Sequence, residues 1–263
     1  MDQFVQYAVQ GPLARLTLDS PHNRNALSST LVTQLHAGLR DAVADPAVRT
    51  VVLDHTGNTF CAGADLSEAS GGDPSDQAAG RARELVALLR AIIESPLPVI
   101  AVVNGHVRAG GMGLVGACDI AVAGPRSTFA LTEARIGVAP AIISLTLLPK
   151  LSARAAARYY LTGEKFDAAE AAAIGLVTLA ADDVGAAVAA LVDDLRHGSP
   201  QGLAASKALT TAAVLAGFDR DAERLSIDSA RLFVSEEARE GMLAFLQKRP
   251  PRWSQPEHGD DPV

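Results

Sequence analysis

The sequence is poor in cysteine, with only Cys61 and Cys118 among 263 residues. Neither lies in a Cys-x-x-Cys pattern, so nothing indicates a structural zinc site. We therefore expect reduced thiols, no bound metal and a cytoplasmic protein.

Basic residues are in the minority, since 23 Lys and Arg stand against 30 Asp and Glu and give a net charge of −7. A nucleic-acid partner requires clustered positive charge and is not expected. A small anionic ligand needs only a few local cations, so this balance does not exclude one.

Long apolar runs are also missing. No stretch is long enough to cross a membrane, and residues 1–4 lack the basic and apolar character of a secretory signal. We expect no membrane partner.

Short apolar stretches are present instead, and they alternate with amphipathic segments. Residues 51–53, 99–103 and 120–123 are typical of strands buried on both faces. Residues 31–43, before the first of these strands, and residues 85–93, between the first and the second, carry apolar side chains at helical spacing. Strands that alternate with helices predict an α/β fold with mostly parallel strands.

The two ends of the chain have different patterns. Alternating apolar residues predict a β-hairpin at residues 5–18. Beyond residue 200 only helices are predicted, over 202–215, 219–234 and 236–248. We place a boundary between residues 199 and 200.

Two segments rich in small residues each follow a predicted strand or its loop, namely 60–66 (FCAGADL) and 104–113 (NGHVRAGGMG). Small side chains let a ligand approach main-chain N–H groups, and two such groups aimed at one point form an oxyanion hole. The alternative is that these glycines serve only tight packing.

A third segment, 129–137 (FALTEARIG), places Glu133 among apolar and small residues. Burial would raise the pKa of this carboxyl group and fit it for acid–base catalysis. The alternative is a solvated or capping carboxylate.

Residues 111–116 (GMGLVG) also fit the G-x-G-x-x-G pattern of dinucleotide-binding turns. That pattern requires an acidic residue at the end of the next strand, about 20 residues on. The next strand here ends in Ala-Gly-Pro, so an NAD(P)-dependent oxidoreductase is a weaker alternative.

The three segments resemble the enoyl-CoA hydratase/isomerase (crotonase) family in their order and spacing. Residues 24–27, 170–177 and 240–249 are similar to further signatures of that family, so the resemblance covers almost the whole chain. It implies an α/β fold built as a crotonase-like ββα superhelix over residues 1–199, which holds the coenzyme A and oxyanion sites. Residues 200–263 would form an all-helical oligomerisation region, in a homotrimer or a hexamer made of two trimers.

The resemblance also implies roles for particular residues. The N–H groups of Ala64 and Gly110 would bind the thioester oxygen, and Glu133 would transfer protons. The residues expected to line the coenzyme A site are Arg24, Ala26, Ala62, Asp65, Leu66 and Lys248, the last reaching the nucleotide end. Coenzyme A is part of the substrate, so no separate cofactor is expected.

The implied reaction is hydration of a 2-enoyl-CoA to a 3-hydroxyacyl-CoA, in fatty-acid metabolism. The best-known hydratases of the family have two catalytic glutamates. In this sequence Glu133 matches the second of them, whereas the first falls on Gly113. A single carboxylate would also serve a Δ3,Δ2-enoyl-CoA isomerase, and a non-catalytic acyl-CoA binder is a third alternative. The segment 131–144 resembles bacterial hydratases that act on branched substrates such as 3-methylglutaconyl-CoA.

Overall fold

The computed structural model describes residues 2–65 and 73–254. Its strands are β1 (Val5–Gln10), β2 (Leu13–Leu18), β3 (Thr50–His55), β4 (Thr59–Cys61), β5 (Val99–Val103), β6 (His106–Arg108), β7 (Ile120–Ala123), β8 (Thr128–Ala130), β9 (Phe166–Asp167) and β10 (Leu179–Ala180). Its α-helices are α1 (Ser29–Ala44), α2 (Pro74–Glu94), α3 (Gly110–Ala117), α4 (Ser144–Leu147), α5 (Ala153–Thr162), α6 (Ala168–Ala173), α7 (Val184–Arg196), α8 (Pro200–Phe233) and α9 (Glu236–Leu246). Short 3₁₀ helices lie at Pro21–Asn23, Glu133–Ile136 and Arg252–Ser254.

The larger sheet has six strands in the order β1-β2-β3-β5-β7-β10. Strands β1 and β2 form the predicted antiparallel hairpin, and the other pairs are parallel. The central strands are almost wholly buried because helices or strands cover both faces, which explains their continuous apolar sequences.

The smaller sheet has four strands in the order β4-β6-β8-β9. Its first three strands are parallel, and β9 is antiparallel to β8. The chain passes from a strand of the larger sheet to one of the smaller sheet and then into a helix, in β3-β4-α2 and again in β5-β6-α3. These repeats are the predicted ββα units.

This topology brings the three unusual segments to one edge of the smaller sheet. Ala64 lies three residues after the end of β4, Gly110 two residues after β6, and Glu133 three residues after β8. Neighbouring strands lie about 4.8 Å apart, and the carboxyl ends of parallel strands share an edge. The segments therefore leave the sheet side by side.

Helix α1 shows how the local sequence fixes an element. The Ser28 hydroxyl caps it by accepting a hydrogen bond from the N–H of Leu31, at 3.2 Å. Leu31, Leu35 and Leu39 lie on one face and are buried in the main core, as their spacing predicts.

The C-terminal region differs from the prediction in one respect. The break expected between residues 215 and 219 is wrong, because α8 runs without interruption over 34 residues. Gly217 in its interior costs about 1 kcal/mol, which the packing of the buried Phe218 offsets. Helix α8 begins at Pro200, beside the proposed boundary, but α7 is already helical, and the division of the chain into two regions stays a prediction.

Lys207 ties α8 to the remainder of the fold. Its ammonium group is buried, pairs with Asp119 at 2.8 Å and donates to the carbonyl oxygens of Ile92 and Leu97. A buried charge with these partners is fully compensated, so removing either ionic partner would leave an uncompensated charge.

No helix within residues 2–65 and 73–254 is both long and apolar enough to span a membrane. In the same part of the chain, no group of three or more His, Cys, Asp or Glu side chains is placed to hold a metal ion.

Candidate active site

The N–H group of Ala64 has no acceptor among the described residues, because of the way its backbone is paired. The N–H of Leu27 donates to the carbonyl of Gly63, and the N–H of Asp65 donates to the carbonyl of Leu27. This parallel bridge uses the residues on either side of Ala64, so the amide of Ala64 points away from Leu27. It donates to no protein acceptor in the described part of the chain.

Gly110 is the first residue of α3, so its N–H has no partner within the helix. The preceding Ala109 has a φ of 46°, a conformation that L residues seldom adopt. The packing around Ala109 therefore maintains this unfavourable backbone conformation, which sets the direction of the N-terminus of α3.

The loops that carry Ala64 and Gly110 are in direct contact. A Cβ atom on Gly63 would lie 3.3 Å from the nitrogen of Gly110 and 2.6 Å from the Cβ of Ala109. Gly63 also has a φ of 97°, so glycine is required there for both space and conformation. The amides of Ala64 and Gly110, which donate to none of the described residues, thus lie on adjoining loops at the positive end of a helix dipole.

Glu133 begins the 3₁₀ helix Glu133–Ile136, which we call the Glu133 turn. Its side chain is buried, with 8% of the residue exposed, and its Oε2 atom makes no hydrogen bond to the described residues. Burial raises the pKa of the Glu133 carboxyl from 4.5 to about 7, although a hydrogen bond from its own N–H opposes this rise. A carboxyl group with a pKa near neutrality can both take and return a proton.

The Glu133 turn is fixed by contacts on two sides. The guanidinium group of Arg135 donates to the carbonyl of Thr162, at 2.9 and 2.7 Å, and thereby binds the turn to the end of α5. On the other side α9 packs so closely that a Cβ on Gly241 would lie 2.5 Å from the carbonyl carbon of Ile136.

Gly113 has no room for an acidic side chain. A Cβ there would lie 2.6 Å from Cγ2 of Ile143 and 3.3 Å from Cδ1 of Leu89. Apolar side chains thus fill the space beside this position, and Glu133 has no carboxylate partner from it.

The glycines of the G-x-G-x-x-G pattern lie inside α3 and not in a turn. Gly111 packs on Cys61, Gly113 on Ile143, and Gly116 on Thr146. These small residues let α3 pack closely, so the geometry does not favour a dinucleotide site.

Four of the residues expected to bind coenzyme A lie on two adjoining loops. The N–H of Ala62 donates to the carbonyl of Arg24 at 3.1 Å, and the Asp65 carboxylate accepts a hydrogen bond from Asn23 at 2.9 Å. Ala26 is buried and directly precedes Leu27, which forms the β-bridge with Ala64. The structure thus brings these four positions together.

Of the two other predicted residues, only Lys248 is described, and it is not joined to these loops. Lys248 is exposed just after α9, and its N–H donates to the carbonyl of Phe245. Leu66 lies outside the described residues. Their roles stay predictions, as do those of Ala64, Gly110 and Glu133.

Comparison with known proteins decides the family. The sequence profile of the family described as "Enoyl-CoA hydratase/isomerase" matches residues 9–256. The chain belongs to this family. The prediction of a crotonase-family enzyme with an α/β spiral fold is therefore confirmed.

Individual members of the enoyl-CoA hydratase/isomerase family align over nearly the whole chain. An enoyl-CoA hydratase from Mycobacterium avium is 73% identical, with a TM-score of 0.92, and the match covers 97% of this chain and 100% of that one. A carnitinyl-CoA hydratase from the same species is 29% identical, with a TM-score of 0.83 and coverage of 97% and 99%. The cyclohexa-1,5-dienecarbonyl-CoA hydratase of Thauera aromatica is 29% identical over 247 residues, which are 92% of this chain and 93% of that protein.

Sequence reasoning missed the large cavity of this family member. The cavity has a volume of about 680 Å³, reaches Ala64 and Ile142, and lies between the start of α2, the end of α8 and α9. Its other lining residues are Gln77, Ala78, Arg81, Ala82, Leu85, Ser229, Phe233, Val234, Ser235, Arg239, Met242, Leu243 and Leu246. No local pattern marks them, because α2 is distant in sequence from α8 and α9, and the wall forms only when these helices pack together.

Proposed function

We propose that this chain adds water to the double bond of a 2-enoyl-CoA thioester and forms a 3-hydroxyacyl-CoA. One observation carries the proposal: three adjacent parallel strands deliver two unpartnered amides and the buried carboxyl group of Glu133 to the same edge of a sheet. Family membership and the hydratase names of the similar proteins support the same reaction.

The thioester oxygen would accept hydrogen bonds from the N–H groups of Ala64 and Gly110. This polarisation makes Cβ of the enoyl group electrophilic and stabilises the enolate that follows, with each donor worth about 3–4 kcal/mol. Glu133 removes a proton from water as the water oxygen bonds to Cβ. The double-bond electrons move toward the thioester oxygen, and Glu133 then returns the proton to Cα.

The substrate we favour is a branched 2-enoyl-CoA with a distal carboxylate, such as 3-methylglutaconyl-CoA. The cavity that reaches Ala64 is lined mainly by apolar side chains, and its wall includes Arg81 and Arg239. An apolar wall fits a methyl branch, and a guanidinium group binds a carboxylate through two parallel hydrogen bonds. The proposal also includes a trimer or hexamer in which Lys248 serves the coenzyme A site, and a cytoplasmic role in fatty-acid metabolism.

A second candidate is isomerisation of a 3-enoyl-CoA to the conjugated 2-enoyl-CoA. The packing of Ile143 against Gly113 favours it, because it leaves one carboxylate, and one carboxylate suffices to move a proton between two carbons. In that case the same two amides would stabilise the dienolate intermediate.

The test is turnover of crotonyl-CoA and 3-methylglutaconyl-CoA, followed as loss of the conjugated enoyl absorbance and by product mass. We expect hydration by the unaltered chain, and a loss of at least about 100-fold in kcat for Glu133→Gln with coenzyme A affinity retained. Full activity of that variant would remove Glu133 from the mechanism. A 3-enoyl-CoA converted without gain of water would identify the isomerase, and binding without turnover would identify a non-catalytic binder.

A further inference from the structure

We propose that the hydroxyl group of Tyr160 holds the attacking water opposite Glu133, in a site that has no second carboxylate. This inference rests on the proposed hydration. It assigns Tyr160 and Ser144 a water-positioning role.

A short chain of hydrogen bonds fixes the direction of the Tyr160 hydroxyl group. The Ser144 hydroxyl lies 2.7 Å from the carbonyl oxygen of Pro140 and 3.2 Å from the Tyr160 oxygen. A serine hydroxyl has one proton, which Ser144 donates to the carbonyl because a carbonyl can only accept. Tyr160 therefore donates its proton to Ser144, and its own oxygen remains an acceptor.

The packing of α5 brings Tyr160 to the Glu133 turn. Two residues beyond Tyr160, the carbonyl of Thr162 accepts both hydrogen bonds from Arg135. At the next residue, a Cβ on Gly163 would lie 3.1 Å from the carbonyl oxygen of Leu131. The end of α5 is thus fastened to the segment on both sides of Glu133.

The electrostatic environment agrees with this placement. Burial raises the pKa of Tyr160 to about 12, the hydrogen bond with Ser144 opposes this rise, and the negative charge of Glu133 adds to it. Tyr160 is therefore protonated at neutral pH, as its donation to Ser144 requires.

A water between Glu133 and Tyr160 would give one hydrogen to each. The carboxyl Oε2 atom accepts no hydrogen bond from the described residues, so the carboxyl group keeps an acceptor for the first hydrogen. The Tyr160 oxygen accepts the second hydrogen. The lone pairs of the water oxygen stay free, and one of them attacks Cβ. Glu133 removes the first hydrogen as a proton, and the second remains on the oxygen and becomes the hydroxyl hydrogen of the product.

The test separates water addition from proton transfer at Cα. The variant Tyr160→Phe is assayed for hydration of crotonyl-CoA and for exchange of the Cα hydrogens of butyryl-CoA in D₂O. Exchange needs Glu133 and the two amides but no positioned water. We expect kcat for hydration to fall about 10- to 100-fold, with exchange changed less than about twofold.

Tyr159→Phe is the matched control, because it removes a hydroxyl from the neighbouring residue of α5, where the group donates to Glu170. We expect it to change neither readout. Ser144→Ala leaves Tyr160 in place but frees its proton, which can then turn toward the water, so hydration should fall less than in Tyr160→Phe and exchange should be retained.

Unchanged hydration in Tyr160→Phe would overturn the inference, and so would an equal loss of hydration and exchange, which indicates a purely structural role. Should Tyr160→Phe fail to fold, Ser144→Ala decides through the same comparison. If the unaltered chain exchanges Cα hydrogens but hydrates no enoyl-CoA, the proposed function itself fails and this inference falls with it.

Discussion

At the scale of single residues, the account depends on one carboxyl group that serves as both base and acid. Glu133 can do so because burial raises its pKa to about 7. A solvent-exposed glutamate has a pKa near 4.3 and would be a poor proton donor to a carbon atom at neutral pH.

The first prediction concerns pH. In the proposed mechanism, hydration begins with the ionised form of Glu133, and the raised pKa of this group means that the protonated form predominates below about 7. We therefore expect kcat/KM for crotonyl-CoA to increase about tenfold per pH unit as the pH is raised toward 7, and to level off above pH 7. A profile that is flat between pH 5.5 and 8 would contradict this role of Glu133.

The second prediction concerns Gly113, where the structure leaves no space for a side chain. Gly113→Ala should lower the free energy of unfolding by about 1–3 kcal/mol, measured by urea denaturation, because its Cβ overlaps Ile143. Gly80→Ala in α2 is the control, since a Cβ there meets no atom within 4 Å, and it should be neutral or stabilising. Equal effects of the two substitutions would contradict the described packing.

The proposed catalytic positions could be predicted from the sequence more readily than the residues around them. Ala64, Gly110 and Glu133 stand in short segments whose composition is unusual. Tyr160 has no such signal, because one tyrosine in a helix is ordinary and its nearness to Glu133 arises only when α5 packs against the turn. The same holds for Ile143, whose contact with Gly113 joins residues 30 positions apart.

At the scale of secondary-structure elements, α9 is the support on which the Glu133 turn rests. A Cβ on Gly137 would lie 2.5 Å from the carbonyl carbon of Glu237, and one on Gly241 would overlap Ile136. Backbone thus packs directly on backbone at two points, and a shift of α9 would move the turn that carries the carboxyl group.

The third prediction tests this contact. Gly241→Ala should separate α9 from Ile136 and lower both the melting temperature and kcat for hydration, the latter by about tenfold, since small misplacements of a catalytic group are costly. Gly217→Ala in α8, where a Cβ meets no atom within 4 Å, is the control and should raise stability by up to about 1 kcal/mol. A Gly241→Ala variant with unaltered kcat would show that α9 does not position the turn.

Local patterns predicted most elements but not every boundary. The hairpin and the buried strands follow from alternation and apolar runs. The continuity of α8 could not be predicted from local propensity, because burial of Phe218 and pairing of Lys207 with Asp119 stabilise it from outside the helix.

At the scale of the whole molecule, topology creates both the site and the cavity. The periodicity of the sequence predicts parallel strands, but the ββα units came only with the resemblance to the crotonase family, and the second small sheet was not predicted. The cavity could not be predicted, because its wall combines helices separated by more than 100 residues.

The fourth prediction concerns substrate choice in that cavity. Arg239→Gln should lower kcat/KM for 3-methylglutaconyl-CoA at least about tenfold, because a charge-assisted pair is worth about 1.5–3 kcal/mol, and should leave crotonyl-CoA nearly unaffected. The control is Arg231→Gln on α8, whose guanidinium group lies outside the cavity and pairs with Asp228. Equal losses with both substrates would contradict recognition of a distal carboxylate.

The most direct test of the central claim is a crystal structure of the Glu133→Gln variant with a bound enoyl-CoA. The account predicts a thioester oxygen about 2.7–3.1 Å from the nitrogen atoms of both Ala64 and Gly110, with the side chain at position 133 beside Cα and Cβ. A thioester held away from these two amides, or a side chain at position 133 turned away from the acyl group, would contradict it.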